Sequence, residues 1–287
     1  MSTLASTEAR QTCVRVPCCL QPEPLSSGAG ADAHAFLSVR EEYALDAFSP
    51  VSPELLARRD LLQRTDTKYL LSRHSLPELL GYLERDYRLL YAGDQASALY
   101  LTQYLDTPEI DFFHDHRRGK RLRFKVRVRH YPERSLSYLE IKGKSPSGGT
   151  RKWRRSLAYL CDELSPDDLR FVSTQVPFDA ANLVPSLVNQ FRRITLVGID
   201  LPERITLDMD LQFRNDQSSQ TLGEVLIVEV KQPRFCRQSP ASLALARCRA
   251  LAGSTSKYCV GTMLLRPEVR HNRLRPMLAR LERVCQC

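Results

Sequence analysis

The first regularity along the chain is a period of two. In Arg121-Leu-Arg-Phe-Lys-Val-Arg-Val-Arg129, the cations Arg121, Arg123, Lys125, Arg127 and Arg129 alternate without a break against Leu122, Phe124, Val126 and Val128. Successive side chains of an extended strand point to opposite faces, so all five cations share one. Similar patterns predict strands over 64–71, 99–106, 121–131, 136–144, 150–157, 187–197, 204–213 and 225–231. Helical patterns interrupt them over 75–85, 109–118, 165–172 and 240–251, and a last helix is expected over 267–284. Ser52-Pro53-Glu54 has the form of an N-cap followed by proline at the first helical position, which predicts a short helix covering the mouth of whatever the strands build.

Eight strands with a few helices in one unit predict an α+β fold: a closed or nearly closed antiparallel β-barrel with covering helices. Residues 1–45 mix Ser, Ala, Pro, Gly and Cys without period and are expected to form a disordered tail. The expected organisation is therefore a tail over 1–45, one domain over 46–266 and a C-terminal helix over 267–287.

An isolated strand like 121–129 is ordinarily a solvated face over an apolar core. Its neighbours alter that reading. Glu140, Lys142 and Lys144 share one face of the next strand, and Lys152 and Arg154 one face of the strand after it. Further along, Arg193 goes with Thr195, Arg204 with Thr206, Asp208 and Asp210, and Glu229 with Lys231; upstream, Arg64 goes with Asp66 and Lys68. A barrel that is polar inside, with its apolar outer faces under helices, accounts for both sets of positions.

The 287 residues carry 42 Lys and Arg against 33 Asp and Glu, a net charge of +9, which calls for a polyanionic partner: nucleic acid, an anionic membrane face, nucleotide or polyphosphate. The carboxylates among the cations narrow the choice. A nucleic-acid surface gains nothing from them, whereas a divalent cation that bridges phosphates needs them. The alternate positions are mostly aliphatic, without the aromatics that nucleic-acid readers interleave with basic residues. No apolar run approaches the roughly 18 residues of a membrane span. With no secretory signal and nine scattered cysteines lacking C-x-x-C spacing, the protein is expected in the cytoplasm with its thiols reduced.

Nine short elements in order carry a resemblance to a known family. They are Arg64-Thr-Asp-Thr-Lys68-Tyr, Tyr104-Leu-Asp-Thr107, Lys125-Val-Arg-Val-Arg129-His-Tyr131, Leu139-Glu-Ile-Lys142, Gly149-Thr-Arg-Lys152-Trp-Arg154, Phe191-Arg-Arg193, Arg204-Ile-Thr-Leu-Asp208, Val228-Glu-Val-Lys231 and Ser256-Lys257-Tyr258-Cys259-Val-Gly261. Together they resemble the bacterial branch of the vacuolar transporter chaperone (VTC) domain, a polyphosphate polymerase domain of the CYTH-like, or triphosphate tunnel, superfamily. The resemblance implies a barrel tunnel that binds ATP and inorganic polyphosphate, uses Mn²⁺ or Mg²⁺, and passes the terminal phosphoryl of ATP to a growing polyphosphate chain. It assigns phosphate binding to Lys68, Arg127, Arg129, Lys142, Lys152, Arg193, Arg204 and Lys257, and metal binding to Glu229. Arg154 and Lys231, which share faces with Lys152 and Glu229, join the phosphate-binding set.

Phosphoryl transfer is a matter of positioning and charge neutralisation, so Arg127, Arg129, Lys142, Arg193 and Arg204 are the expected catalytic residues. The implied partners are ATP and polyphosphate, without nucleic acid, together with a membrane protein that receives the chain at the inner face of a membrane. Other members of the superfamily open with a Glu-x-Glu-x-Lys strand; here the corresponding residues are Arg64, Asp66 and Lys68, the polymerase-like form. Eukaryotic polymerases carry an extra Lys where this chain has Ser254. The competing readings are a triphosphatase using the same tunnel, a non-catalytic polyphosphate or nucleotide sensor, and a nucleic-acid binder.

His114-Asp115-His116, with Asp111 a turn earlier, offers metal-ligating residue types, but adjacent helical positions point apart and an exposed helix end is expected. Trp153 is expected to pack under a helix, and Gly148-Gly149 to be a turn.

Overall fold

The computed structural model describes residues 14–15, 43, 45–59, 64–145 and 149–286. Its strands are β1 (Val14–Arg15), β2 (Thr65–Ser72), β3 (Tyr87–Leu89), β4 (Ala98–Asp106), β5 (Arg123–Tyr131), β6 (Leu136–Lys144), β7 (Thr150–Leu157), β8 (Glu163–Leu164), β9 (Val184–Gly198), β10 (Arg204–Arg214), β11 (Ser219–Leu222), β12 (Val225–Gln232) and β13 (Leu251–Ala252). The helices are α1 (Pro53–Arg58), α2 (Leu76–Leu83), α3 (Asp111–Arg118), α4 (Pro166–Ser173), α5 (Pro240–Arg247), α6 (Lys257–Leu265) and α7 (Arg275–Cys285). Each of the eight alternating segments forms a strand, and each of the helical patterns contains a helix. The short strands β3, β8, β11 and β13 and the whole of α6 are additions that periodicity did not announce.

Eleven strands form one sheet in the order β13-β2-β12-β10-β9-β4-β5-β6-β7, with β11 added to β10 and β3 to β9. Every pairing is antiparallel. The ladder does not close, since it ends at β13 on one side and β7 on the other. It nevertheless curls into a tunnel: Lys68 from β2, Lys125 from β5 and Lys142 from β6 line one cavity, although five strands separate β2 from β6.

Apolar residues cover the outside. Leu71, Ile194, Leu196, Ile205, Leu207, Val228 and Val230 form one buried cluster with Leu76, Leu79, Leu80 and Leu83 of α2 and Ala241, Ala244 and Leu245 of α5. Around the β5–β6 wall, Val126, Val128, Leu139 and Ile141 share a second cluster with Leu169 and Val172 of α4, against which Trp153 packs as expected. The same cluster takes in the apolar end of the concave face, where α6 is seated: Tyr258, Val260 and Met263 join Leu70, Leu187, Phe191, Phe213 and Ile227.

Ser52 caps α1, its hydroxyl accepting from the Leu55 amide at 3.2 Å. Just past that helix, Arg59 donates from Nε to the Gly198 carbonyl at 3.1 Å, and its own carbonyl accepts from Arg204 at 3.3 Å. The expected tail over 1–45 lies almost wholly outside the described residues. Of those described, Val14–Arg15 pair with Glu163–Leu164, and Tyr43 and Leu45 are buried. Packed structure thus begins at least three residues before the expected boundary at 46.

Candidate active site

Register decides which side chains meet on the concave face, because directly paired residues of neighbouring strands project to the same side. Lys68 pairs with Glu229 and Asp66 with Lys231. Thr206 lies opposite both Glu229 and Thr195, Arg204 opposite Lys231, and Asp208 opposite Arg193. Across the sheet, Arg127 faces Tyr104 and Glu140, Arg129 faces Thr102 and Tyr138, and Lys125 faces Lys142. Lys152 and Arg154 of β7 lie opposite Lys142 and Glu140. Lys68, Arg127, Arg129, Lys142, Lys152, Arg154, Arg193, Arg204, Glu229 and Lys231 therefore occupy one continuous face. Lys257 reaches it from the first turn of α6, behind the Ser256 N-cap.

Two cavities open on this face. The larger, about 620 Å³, is lined by Lys68, Lys125, Lys142, Glu229, Ser256 and His116, among others. The smaller, about 240 Å³, includes Tyr100, Tyr131, Arg193, Arg204 and Lys231. Glu229 and Lys231 are two residues apart on β12, so that strand links one cavity to the other. Lys152 and Arg154 lie on the edge strand and are exposed, with the Arg154 guanidinium 4.3 Å from the Tyr138 ring centroid.

The cations are not all free to meet an anion. Arg193 donates to Asp208 through Nε and Nη2 at 2.5 and 2.7 Å, and Lys257 Nζ donates to the same carboxylate. Burial would raise the Asp208 pKa, but Arg193 and Lys257 outweigh it and hold the group well below the carboxylate range. Arg127 makes two 2.7 Å contacts with Glu140, and Arg129 approaches the same oxygen at 3.7 Å. Glu229 is held differently, its ion pairs among the described residues being with ammonium groups, Lys231 at 2.9 Å and Lys68 at 3.9 Å. Burial opposes ionisation there too, yet Lys231 and Lys68 lower its pKa to about 2.

The lysines respond in the opposite sense. Burial, reinforced by Lys68, Lys142 and Arg127, depresses Lys125 to about 7, and its Nζ donates to Ser256 Oγ at 2.8 Å. Burial and the neighbouring Lys68 and Lys152 bring Lys142 to about 8; water reaches this side chain through the mouth while protein surrounds it. Lys257 is likewise lowered to about 8, chiefly by burial, with Asp208 opposing. Lys68 Nζ donates to the Thr255 carbonyl at 3.0 Å, so β2 and β5 are both tied to the approach to α6.

Several contributors escaped sequence reasoning. Tyr100 stands between two arginines, its ring centroid 5.3 Å from Arg129 and 4.7 Å from Arg193, and stacks on Phe191 at 5.0 Å. Its inward position on a strand shared with Tyr104 was the available signal. The roles of Glu140 and Asp208 as carboxylate anchors needed the register. The end of α3 also differs from expectation: His116 is half-buried and lines the mouth rather than lying exposed. Burial, with Lys125, Arg123 and Lys142 nearby, keeps it neutral at physiological pH. Among the described residues no group of three or more His, Cys, Asp or Glu could hold a metal ion.

Glu229 nevertheless suits a hard divalent ion in a phosphate site. Such ions are commonly held by one or two carboxylates plus substrate phosphates, without a protein cage. Asp208, Glu140 and Asp66 are engaged by guanidinium groups, which leaves Glu229, among the described residues, as the carboxylate on this face whose ion pairs are with ammonium groups.

Residues 63–266 match the family model of the VTC domain. The chain belongs to the VTC domain family. The matched span runs through β2 to the end of α6 and so takes in the whole tunnel wall, with α1 and α7 outside it. This VTC domain is a phosphoryl-transfer enzyme of the tunnel type, concerned with triphosphate or polyphosphate chemistry. Among solved structures it is similar to an adenylate cyclase candidate from Vibrio parahaemolyticus, at 12% identity over 69% of this chain and 97% of that one, TM-score 0.41. It is also similar to HpAC1 from Hippeastrum, an adenylyl cyclase candidate described as having a dominant triphosphatase activity, at 14% identity over 73% and 100%, TM-score 0.41. The PH1819 protein from Pyrococcus horikoshii OT3 is similar at 10% identity over 68% and 97%, TM-score 0.39. No curated protein matches the chain.

Proposed function

We propose that this VTC domain is a metal-dependent polyphosphate polymerase that transfers the terminal phosphoryl of ATP to the end of an inorganic polyphosphate chain. The observation that carries this reading is the pair of cavities on one cationic face, to either side of Glu229 and Lys231. A growing polymer needs room on both sides of the reacting phosphorus; a hydrolase needs one entrance. In the reaction, a terminal oxygen of the chain attacks the γ-phosphorus of ATP, the bond to the β,γ-bridging oxygen breaks, and ADP leaves with that electron pair.

The protein's share is to hold oxygens in line and to offset charge as it shifts. Arg127, Arg129, Arg193 and Arg204 present planar forks suited to fixed phosphoryl oxygens, while Lys68, Lys142, Lys152, Lys231 and Lys257 act as point charges along which a chain can move. Arg154 extends the track at the open edge. Glu229 would hold Mn²⁺ or Mg²⁺, which when bound supplies charge neutralisation between neighbouring phosphates. The proposed partners are ATP and polyphosphate, with a membrane protein as the recipient of the chain. No helix among the described residues is long and apolar enough to cross a membrane.

The test is purified protein incubated with ATP and Mn²⁺ and resolved on a gel. A ladder of linear phosphates supports the polymerase. Release of orthophosphate alone would make the domain a triphosphatase, and nucleotide binding without turnover a sensor.

A further inference from the structure

Outside the tunnel, four arginines lie together without an acidic partner. Arg117 and Arg118 close α3, and Arg270 and Arg273 stand on the segment between α6 and α7. Among the described residues none of the four pairs with a carboxylate, and Arg117 Nε is buried without a hydrogen-bond partner. Arg273 Nη1 donates to the Arg118 carbonyl at 2.7 Å, which fixes one segment against the other. Burial, together with Arg118, Arg270 and Arg273, lowers the Arg117 pKa, as expected of like charges held close. Two basic residues at a helix C-terminus are ordinary complements of the helix dipole. Arg270 and Arg273 come from another segment, and the dipole gives no reason for them to gather there.

The cluster adjoins the larger mouth on two sides. Arg123 lines that cavity and donates from Nη1 to the Lys120 carbonyl at 2.7 Å, two residues beyond Arg118. Leu274, next to Arg273, lines the same cavity. Lys120 is the one member of this stretch with an acidic neighbour, Asp115 at 3.1 Å. Cationic side chains thus run from Lys142 and Lys125 within the tunnel, through Arg123 at its rim, to the four arginines outside.

We infer that Arg117, Arg118, Arg270 and Arg273 form an external docking track for the part of a polyphosphate chain that extends beyond the larger mouth. The assignment rests on the function proposed above and adds a second site to it. A linear polyanion is the ligand that can occupy tunnel and track at once. Single-stranded nucleic acid is held by basic grooves with stacking aromatics, and the stretches 117–123 and 270–275 contain no Phe, Tyr or Trp. Membrane-surface segments pair basic residues with a broad apolar face, and here Leu122 is the one exposed large hydrophobic.

The test compares two probes, tripolyphosphate, a chain of three phosphates, and long-chain polyphosphate. For the full chain carrying Arg118→Gln, Arg270→Gln and Arg273→Gln, the Kd for long-chain polyphosphate should rise on the order of tenfold at low salt, with a shallower salt dependence. Affinity for tripolyphosphate and ATP and turnover of ATP should stay at parental values. The corresponding triple Arg→Lys variant should keep long-chain affinity, since a track reads charge and not the planar fork. Should the triple Gln variant fail to fold, Arg270→Gln alone, at an exposed position, should still weaken long-chain binding selectively.

Unchanged long-chain affinity in a folded Gln variant would overturn the track. So would equal affinity of the parent for the two probes, or displacement of polyphosphate by DNA or by phosphatidylglycerol vesicles at matched salt. A parent that binds neither probe would overturn the proposed function itself.

Discussion

Glu229 is ionised because two ammonium groups hold it so, and its Oε2 is 2.9 Å from Lys231. Replacing the carboxylate by an amide of the same shape removes the hard anion while leaving the strand intact. Glu229→Gln should abolish metal-stimulated turnover yet preserve nucleotide binding without metal; undiminished Mn²⁺-dependent activity would remove Glu229 from the metal site. Arg127 tests a different property. Its guanidinium both faces the tunnel and satisfies Glu140, so Arg127→Ala strands a half-buried carboxylate whose next cation is Arg129 at 3.7 Å. We expect activity to collapse and stability to fall by about 1–3 kcal/mol, measured by chemical denaturation. Arg127→Lys keeps the charge but loses the fork, and should retain most of the stability while losing most of the polyphosphate affinity. If both variants bind like the parent, β5 does not hold substrate.

At the scale of elements, α6 sets the position of the site. Its hydroxyl Tyr258 Oη donates to Asp106, whose carboxylate also accepts the amides of Thr107, Phe112 and Phe113 and so caps α3. One buried carboxylate thereby joins the helix that carries Lys257 to the helix that carries His116. Gly261 lets α6 approach the wall: a β-carbon there would stand 2.5 Å from Phe213 Cδ1 and 3.1 Å from Leu187 Cδ2, both on buried side chains. Gly261→Ala should cost about 1–3 kcal/mol through overpacking and weaken ATP binding by displacing Lys257. A variant with the parental melting temperature and affinity would show that the helix has slack.

The long strands were legible because a wall with one polar and one apolar face must alternate. Helix α6 was not, since Tyr258, Cys259, Val260, Gly261, Thr262, Met263 and Leu265 are all buried and leave no polar face to mark a helical period. Its motif was visible as residues, and its helix was not. The cationic lining could likewise be read from alternation, but which carboxylate answers which arginine depends on register, fixed by turns and bulges that periodicity does not reveal.

For the whole molecule, the burial and crowding of its lysines make pH act on stability and on binding in opposite directions. Lys125 titrates near 7 and Lys142 and Lys257 near 8 in the folded chain, against 10.5 for an unperturbed lysine. From about pH 7 to about 9, below the range in which Cys248 and the buried tyrosines would lose protons only in the unfolded chain, the unfolded chain binds more protons than the folded one, so stability without ligand should rise with pH across that window. Over its lower part the tunnel loses ammonium groups, so affinity for polyphosphate should fall. Bound phosphate restores those charges, and binding should take up protons near pH 8. Titration calorimetry in two buffers of different ionisation enthalpy, beside melting temperatures, reads all three effects; affinity that climbs with pH while stability falls would refute the assignment.

The unclosed ladder has a consequence for how a long molecule enters. A fully hydrogen-bonded tube has a fixed gauge and must be threaded from an end, like a needle. This wall is a split ring, and the region between β7 and β13 is bordered by Thr150, Gly253 and Ser254 with Leu274 and Met277 laid alongside. Widening that gap breaks no rung between strands. What joins the two sides there is side-chain contact, Lys68 to the Thr255 carbonyl and Lys125 to Ser256 Oγ, and not a backbone ladder.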